Sequence, residues 1–310
     1  MANAMQNLSL KQQTLLGAGF AVLAAIGFST KAILVKLAYV ESVDALTLLT
    51  LRMAFSAPIF LAIAVWSGRQ SHRAALTQKD WLAVLVLGLI GYYLSSLLDF
   101  TGLQYVSAGL ERLILFLYPT MVVLLSLILF KQRIGRREIA ALAACYAGIA
   151  LVYLHDAHSG ESNIALGATL VFASTLTYSL YLVGAGHFIA RIGAIRFTAY
   201  AMTVACSATL LQFALTHQLS DLDVSPRIYS LSIGMALFST VLPVFMLSAA
   251  MRLIGSGRTA MIGSLGPVST IFFAHWILGE SLSVTKIAGS ALVLAGVLLI
   301  SRVKPQKKIA

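Results

Sequence analysis

Four ionisable residues, Lys31, Asp99, Glu111 and Arg112, lie in segments that are otherwise almost entirely apolar. A charge in hydrocarbon costs about 2.5–3.5 kcal/mol on insertion scales, so such groups face a protein interior or pair with one another. Asp99 and Arg112 are separated by a short predicted turn, which favours an ion pair between them. The four residues are therefore expected to form either a gate that opens and closes or a structural ion-pair cluster.

Hydroxyl and aromatic side chains recur about ten residues into several of these apolar segments. A helix rises about 1.5 Å per residue, so residues at that distance from a segment's end share one depth. Hydroxyls there could hold the carboxylate and amine of a zwitterionic small molecule, while tyrosine rings cover its apolar part. Each serine or threonine could instead bond to the preceding turn of its own helix. The candidate ligand residues are Ser29, Thr30, Tyr92, Tyr93, Ser96, Tyr118, Thr177, Tyr178, Thr240 and Ser264.

The composition shows what environment must hold these residues. Of the 310 residues, 59% are hydrophobic and 11% are charged, whereas soluble globular proteins carry roughly 25% charged residues. This excludes an ordinary soluble enzyme, a disordered chain and a nucleic-acid-binding domain. Ten segments reach the length of about 20 apolar residues that a membrane-spanning helix needs. The predicted spans are Thr14–Val40, Asp44–Trp66, Asp80–Gln104, Ser107–Phe130, Arg136–Leu154, Asn163–Phe188, Ile195–His217, Pro226–Leu253, Ser256–Leu278 and Val284–Arg302.

The basic residues orient these ten predicted spans. If the N-terminus is cytoplasmic and the spans alternate, the inner segments hold 16 of the 22 basic residues. The outer segments hold only Arg227 and Lys286, together with most of the acids. The positive-inside rule therefore predicts a multi-pass protein with both termini in the cytoplasm. Topology accounts for the net charge of +11, which argues against a nucleic-acid partner.

The two halves of the sequence repeat at one ungapped offset of 148 positions. This offset relates Pro119 to Pro267, Gly19 to Gly167, Gly109 to Gly257, and Gly148 to Gly296. Five spans per repeat is an odd number, so the second copy is expected to be inverted in the membrane, as in many secondary transporters. The predicted organisation is a tail (1–13), a first repeat (14–154), an inverted second repeat (163–302) and a basic tail (303–310). Pro119 and Pro267 are predicted to be hinges or static kinks.

Three stretches carry a resemblance to a known family. They are GLQYVSAGLERLILFLYPT entering the fourth span, MRLIGSGRTAMIGSLGPVST entering the ninth span, and Gly279–Glu280 after it. With the ten spans and the duplication, the chain resembles the EamA-type branch of the drug/metabolite transporter superfamily. The resemblance implies an all-α membrane protein whose ten helices form two inverted five-helix repeats around a central cavity. Bacterial inner-membrane exporters of amino acids and other metabolites are most similar, which implies alternating access, an amino acid or related small-molecule substrate, a lipid bilayer as environment, and no cofactor or metal.

Other functions are less favoured. A transporter of phosphorylated or nucleotide-linked sugars could use Lys31 and Arg112 to bind phosphate. A broad drug exporter fits less well, because the first span lacks the central glutamate of the small multidrug members. An intramembrane enzyme is disfavoured because the sequence lacks HExxH, GxSxG and a paired catalytic acid within a span. A channel is disfavoured by the predicted inverted repeat. The sequence leaves the exact substrate, the coupling ion and the oligomeric state open.

Overall fold

The computed structural model describes residues 10–69, 75–130, 135–158 and 163–301, and every regular element within these ranges is helical. The α-helices are α1 (Leu10–Tyr39), α2 (Ala45–Gly68), α3 (Gln78–Gly88), α4 (Ser95–Leu103), α5 (Ala108–Leu115), α6 (Tyr118–Phe130), α7 (Arg136–His158), α8 (Ile164–Ile192), α9 (Ala194–Thr216), α10 (Pro226–Ala236), α11 (Leu242–Gly263), α12 (Leu265–Leu278) and α13 (Val284–Ser301). A 3-10 turn covers Leu219–Leu222. Of the predicted tails, residues 1–9 and 303–310 lie outside the described residues.

Nine helical stretches in the described part of the chain are long and apolar enough to cross a bilayer. They follow the first nine predicted spans in order. The tenth predicted span coincides with α13, whose apolar stretch Val284–Ile300 is shorter than the usual spanning length. Large apolar side chains, including Trp66, Leu215 and Trp276, are exposed on the outside of the bundle. These features together make the chain a multi-pass membrane protein.

Polar residues fix where several of the spanning helices begin. Asp44, Thr77, Ser107 and Ser225 are the N-caps of α2, α3, α5 and α10, and each side chain accepts a hydrogen bond from a backbone N–H of the first turn. Such a cap satisfies a donor that the helix itself leaves free. Thr77 and Ser225 are 148 positions apart, so the third and eighth predicted spans begin in the same way.

Two π-helical segments interrupt the third and eighth predicted spans. They cover Leu89–Leu94, which joins α3 to α4, and Leu237–Val241, which joins α10 to α11. Their first residues are again 148 positions apart. A π-helical turn contains one more residue than an α-helical turn, so it rotates the faces of the helix on either side of it.

Two further breaks precede the predicted hinge prolines. The break between α5 and α6 falls at Phe116–Leu117, and the break between α11 and α12 falls at Ser264. Pro119 has no N–H to bond to the carbonyl of residue 115, and Pro267 likewise leaves the carbonyl of residue 263 without its partner. The prolines therefore account for the interruption of each helix, and they lie just beyond it.

Helices from the two halves pack against each other across the bundle. α7 packs along α13, α2 along α9, α1 against α11 and α12, and α8 against α4, α5 and α6. Glycines allow close approach between α7 and α13, because a Cβ on Gly148 would lie 2.4 Å from the carbonyl oxygen of Gly289. α1 and α8 thus bring the polar residues of the surrounding spans into one region.

Contacts between connecting segments show which of them share an end of the bundle. At one end, Glu41 after α1 lies 3.6 Å from Arg227 in α10. At the opposite end, Arg191 of α8 forms an ion pair with Asp80 of α3. The alternating arrangement predicts the first end to be outside and the second to be inside the cell. They are called the predicted outer end and the predicted inner end below.

Candidate functional site

A buried cluster of three charged side chains joins α1, α4 and α5 in the half of the bundle nearer the predicted outer end. Lys31 of α1 forms an ion pair with Asp99 of α4, and its Nζ lies 2.7 Å from Oε1 of Glu111 in α5. Glu111 is completely buried and Asp99 is 4% exposed. Neither Glu111 oxygen, nor Oδ1 of Asp99, accepts a hydrogen bond of ordinary geometry from the described residues. One ammonium group therefore faces two carboxylates.

Arg112 does not form the predicted ion pair with Asp99. Asp99 pairs with Lys31 instead, and the Arg112 side chain extends from α5 to α12. The Nη2 atom of Arg112 lies 2.6 Å from the point where a Cβ of residue 266 would be, so it occupies space that Gly266 leaves free. Within the described residues the guanidinium has neither a hydrogen bond nor an ion pair, and its Nε is buried. Because arginine keeps its charge, it needs an anion or water beside it.

A third cation, Arg52 of α2, is buried in the same region and was not among the predicted site residues. Its Cζ lies 4.6 Å from the centroid of the Phe100 ring, and it donates a hydrogen bond to Oγ of Ser96 at 3.0 Å. The predicted ligand residue Ser96 therefore holds Arg52 in this structure. The sequence signal for Arg52 is its position inside the second predicted span, whose other charged residue, Asp44, is the first residue of the span.

Aromatic side chains from three spans meet near the middle of the bundle. Tyr92, Tyr118 and Tyr178, all predicted ligand residues, come together with Tyr181. The ring centroid of Tyr178 lies 6.0 Å from that of Tyr118 and 5.7 Å from that of Tyr181. The hydroxyls of Tyr92 and Tyr181 are 3.0 Å apart. Tyr181 follows Tyr178 by one helical turn, and this spacing is the sequence signal that identifies it. We call these four residues the tyrosine cluster.

The other predicted ligand residues lie in different surroundings. Tyr93 points towards α9, where its hydroxyl donates to Oε1 of Gln212 at 2.8 Å. Ser29 is buried, and its hydroxyl lies within hydrogen-bonding distance of two carbonyls, that of Ala25 in its own helix at 2.7 Å and that of Gly266, the glycine that Arg112 contacts, at 2.8 Å. The remaining hydroxyls donate to a preceding carbonyl of their own helix, as the alternative hypothesis had it. These are Thr30, Thr177, Thr240 and Ser264.

Other regions of the described chain offer less for a polar ligand. A cavity of about 480 Å³ lies between α2 and α9 near the predicted outer end, and its lining is mainly apolar, with Leu51, Ala54, Leu210 and Phe213 among the lining residues. It contains none of the predicted ligand residues. Across the described ranges, no three His, Cys, Asp or Glu side chains converge as a metal site requires. The polar groups that could bind a ligand therefore concentrate around Arg112 and the tyrosine cluster.

Comparison with known proteins identifies the family. The family model described as "EamA-like transporter family" matches residues 15–154 and 165–302. The "uncharacterized transporter YcbK" of Bacillus subtilis is 29% identical over 279 residues, which cover 88% of each chain. A "probable terminal-alkyne amino-acid exporter" of Streptantibioticus cattleyicolor is 27% identical over 243 residues, covering 78% of this chain and 80% of that protein. A solved crystal structure that is 19% identical superimposes with a TM-score of 0.63 over 94% of this chain and 96% of its own, which shows a shared fold. Because the two matches of the family model together span most of this chain, the chain belongs to the EamA-like transporter family and is a membrane transporter.

Proposed function

We propose that this transporter is a secondary exporter of amino acids or closely related small metabolites, and that it works by alternating access in the inner membrane. The Arg112 guanidinium carries the proposal. It reaches Gly266 near the middle of the bundle, and no anion among the described residues pairs with it. A carboxylate matches this group well, since arginine can hold both carboxylate oxygens through two parallel hydrogen bonds.

The tyrosine cluster supplies the other contacts that an amino acid needs. Tyr118 follows Arg112 by six residues in the same predicted span, and its ring packs against that of Tyr178. Ring faces suit an apolar side chain, and phenol hydroxyls can accept hydrogen bonds from an ammonium group. The relative from S. cattleyicolor, whose name describes it as an amino-acid exporter, supports the same substrate class.

Alternating access is supported by the matching of the two halves. The π-helical segments and the proline breaks recur at the 148-position offset. The packing partners also correspond, because α1 contacts the third and fourth predicted spans of the second half, while α8 contacts those of the first half. Inverted repeats that exchange roles in this way underlie the motion of many secondary transporters.

The sugar-phosphate alternative is less well supported. It requires Lys31 and Arg112 to bind phosphate together, yet Lys31 is already paired with Asp99 and close to Glu111. A phosphate would have to compete with two carboxylates for one ammonium group. Arg112 alone matches the single negative charge of an amino-acid carboxylate.

The orientation of the proposed exporter can be tested with reporter fusions. We expect fusions after Gln306 and within 133–137 to report the cytoplasm, and a fusion at Ser159 to report the opposite side. All three positions are at or beyond the edge of the described residues, so this expectation rests on the distribution of basic residues. A cytoplasmic reporter at Ser159 would contradict the proposed arrangement of spans.

Substrate exchange in proteoliposomes tests the proposed activity directly. Purified protein is loaded with unlabelled compound, and entry of the labelled compound is followed for a panel of amino acids and sugar phosphates. We expect exchange of one or more amino acids, its loss in Arg112→Ala, and its retention in Arg258→Ala, which removes an exposed arginine of α11. Exchange of sugar phosphates without amino acids would support the alternative. Exchange of no panel member, or full activity of Arg112→Ala, would contradict the proposal.

A further inference from the structure

The carboxyl group of Glu111 is buried within the bundle, and binding of a substrate carboxylate by Arg112 gives it no role. We propose that Glu111 binds and releases a coupling proton, so that substrate leaves the cell in exchange for protons. This inference rests on the proposed export function and names its driving ion. It comes from the environment of one buried carboxyl group and the charged groups that surround it.

Within ion-pair distance, the carboxylates of Glu111 and Asp99 share one ammonium group, that of Lys31. Lys31 from α1 is the cation within ion-pair distance of Glu111, at 2.7 Å, and it is also the partner of Asp99 from α4. Arg52 from α2 is directed to Ser96 and the Phe100 ring, and Arg112 on the same helix as Glu111 is directed to Gly266. Both arginines add positive charge to this region, but neither forms an ion pair with Glu111 in the described residues, so Glu111 shares its one ion-pair partner with Asp99.

A proton on Glu111 would remove the cost of this buried, poorly hydrogen-bonded carboxylate. Glu111 is 0% exposed, and neither of its oxygens accepts a hydrogen bond of ordinary geometry from the described residues. An ionised carboxylate in such a place is costly, because burial removes its hydration and nothing fully replaces it. With a proton on Glu111, the cluster becomes a neutral acid beside a matched Lys31–Asp99 pair. Ionisable groups held in this way within a membrane are typical of proton pathways.

The structure gives Glu111 no helix-capping task. Ser107 caps the start of α5, where its Oγ accepts a hydrogen bond from the N–H of Leu110 at 3.1 Å. The position of the second half that matches Glu111 is Thr259, whose hydroxyl bonds to the carbonyl of Gly255 at 2.8 Å within its own helix. The start of this span therefore forms without an acid in one half, and the acid in the other half is free to serve transport.

Binding of the substrate and binding of the proton are each expected to lower the affinity of the transporter for the other. In the proposed pose, Arg112 holds the carboxylate of the amino acid and the tyrosine cluster holds its ammonium group, so substrate binding adds a cation to the buried region that contains Glu111. A nearby cation favours the ionised form of a carboxyl group, so substrate binding promotes release of the proton. Rebinding of a proton then favours release of the substrate. This reciprocal linkage is what exchange transport requires.

Proton movement in proteoliposomes tests the inference. A pH-sensitive dye is trapped inside, and an amino-acid gradient is imposed. Wild type is expected to move protons against the flow of amino acid. Glu111→Gln, which mimics the protonated acid, is expected to exchange amino acids with a raised half-saturation concentration and to reduce proton movement to the level of protein-free liposomes. It leaves Lys31 and Asp99 as a matched pair, so it should fold. Asp223→Asn, which alters an exposed loop carboxylate, is the control and should behave like wild type.

A second measurement is independent of substrate. Infrared difference spectra between mildly acidic and mildly alkaline buffer should contain a protonated-carboxyl band that Glu111→Gln loses and that Glu111→Asp and Asp223→Asn keep. Proton-coupled transport by Glu111→Gln, or a band unaffected by it, would overturn the inference. Amino-acid exchange by wild type without proton movement would also overturn it while leaving the export proposal intact. Loss of the band in Glu111→Gln, with no amino acid transported by wild type, would support the proton site and contradict the export proposal.

Discussion

Replacing Gly266 by alanine should displace the Arg112 guanidinium without removing a polar group. The new Cβ would lie 2.6 Å from Nη2, and ordinary contact begins at 3.4 Å, so the guanidinium must retreat by about 0.8 Å. The displaced atom is the end of a flexible side chain, so the backbone of α12 can stay in place. Alanine is favoured over glycine within a helix by ~1 kcal/mol. The free energy of unfolding should therefore be unchanged or slightly larger.

Substrate affinity should fall in the same variant. A hydrogen bond to a charged group contributes ~1.5–3 kcal/mol, and each 1.4 kcal/mol is about a tenfold change in a dissociation constant. If the shift costs one of the two bonds between Arg112 and a carboxylate, the half-saturation concentration for exchange should rise by about 10- to 100-fold. Proteoliposome exchange measures this effect, and thermal unfolding in detergent measures the stability.

The neighbouring Gly263 provides a matched control, because a Cβ there would meet no atom within 4 Å. Gly263→Ala should therefore leave exchange unchanged and alter stability in the same direction as Gly266→Ala. Equal half-saturation concentrations in the Gly263→Ala and Gly266→Ala variants would show that the placement of Arg112 does not matter to substrate. That result would refute the carboxylate-binding role, whatever the stability of the two proteins.

Three other substitutions follow from the packing. Tyr178→Ala should reduce amino-acid exchange at least tenfold, because it removes a ring from the tyrosine cluster. Tyr93→Ala should retain most of the exchange, because the Tyr93 side chain faces α9. Equal loss of exchange in both variants would show that the tyrosine cluster is not a binding surface. Gly148→Ala should lower the free energy of unfolding by ~1–3 kcal/mol, since its Cβ would meet the backbone of α13. Gly19→Ala should leave the free energy of unfolding unchanged, because the space around Gly19 is open. Thermal unfolding of the two variants measures the difference. Arg191→Gln, which breaks the ion pair at the predicted inner end, should speed labelling of a cysteine placed in the tyrosine cluster from that end only. Because the side chain of Asp80 is only 2% exposed, the variant should also lower the free energy of unfolding, by ~1–3 kcal/mol.

Much of the fold is encoded locally and could be predicted from the sequence. Hydropathy over about 20 residues is a property of each segment alone, so the first nine spans were found where the structure has membrane-length helices. The caps Asp44 and Ser107 act within one turn of their own helix, which is why the helix starts agree closely. The prolines likewise act on the carbonyl four residues earlier, so the interruptions near them were predictable.

The partners of the charged residues could not be predicted in the same way. The short turn between Asp99 and Arg112 predicts an ion pair between them, but the structure pairs Asp99 with Lys31 of α1. That choice depends on how each helix is rotated about its axis and which helix lies beside it. Tyr93 shows the same limit, because it lies in a π-helical segment that changes the direction in which neighbouring side chains point.

The matching halves carry unequal chemistry, and this inequality bears on mechanism. At the 148-position offset, Lys31 corresponds to Ser179 and Asp99 to Leu247. Glu111 corresponds to Thr259, and the partner position of Arg112 holds an alanine. The second half forms the equivalent spans without any of these charges, so the charges are not needed for the fold of the repeat. In the proposed mechanism, the charges confined to one half bind what the repeated scaffold does not provide, namely the substrate and the proton. Two identical halves would form two equivalent sites. Because the charges lie in one half, the proposed substrate site at Arg112 and the proposed proton site at Glu111 are neighbours, and binding at one can influence binding at the other.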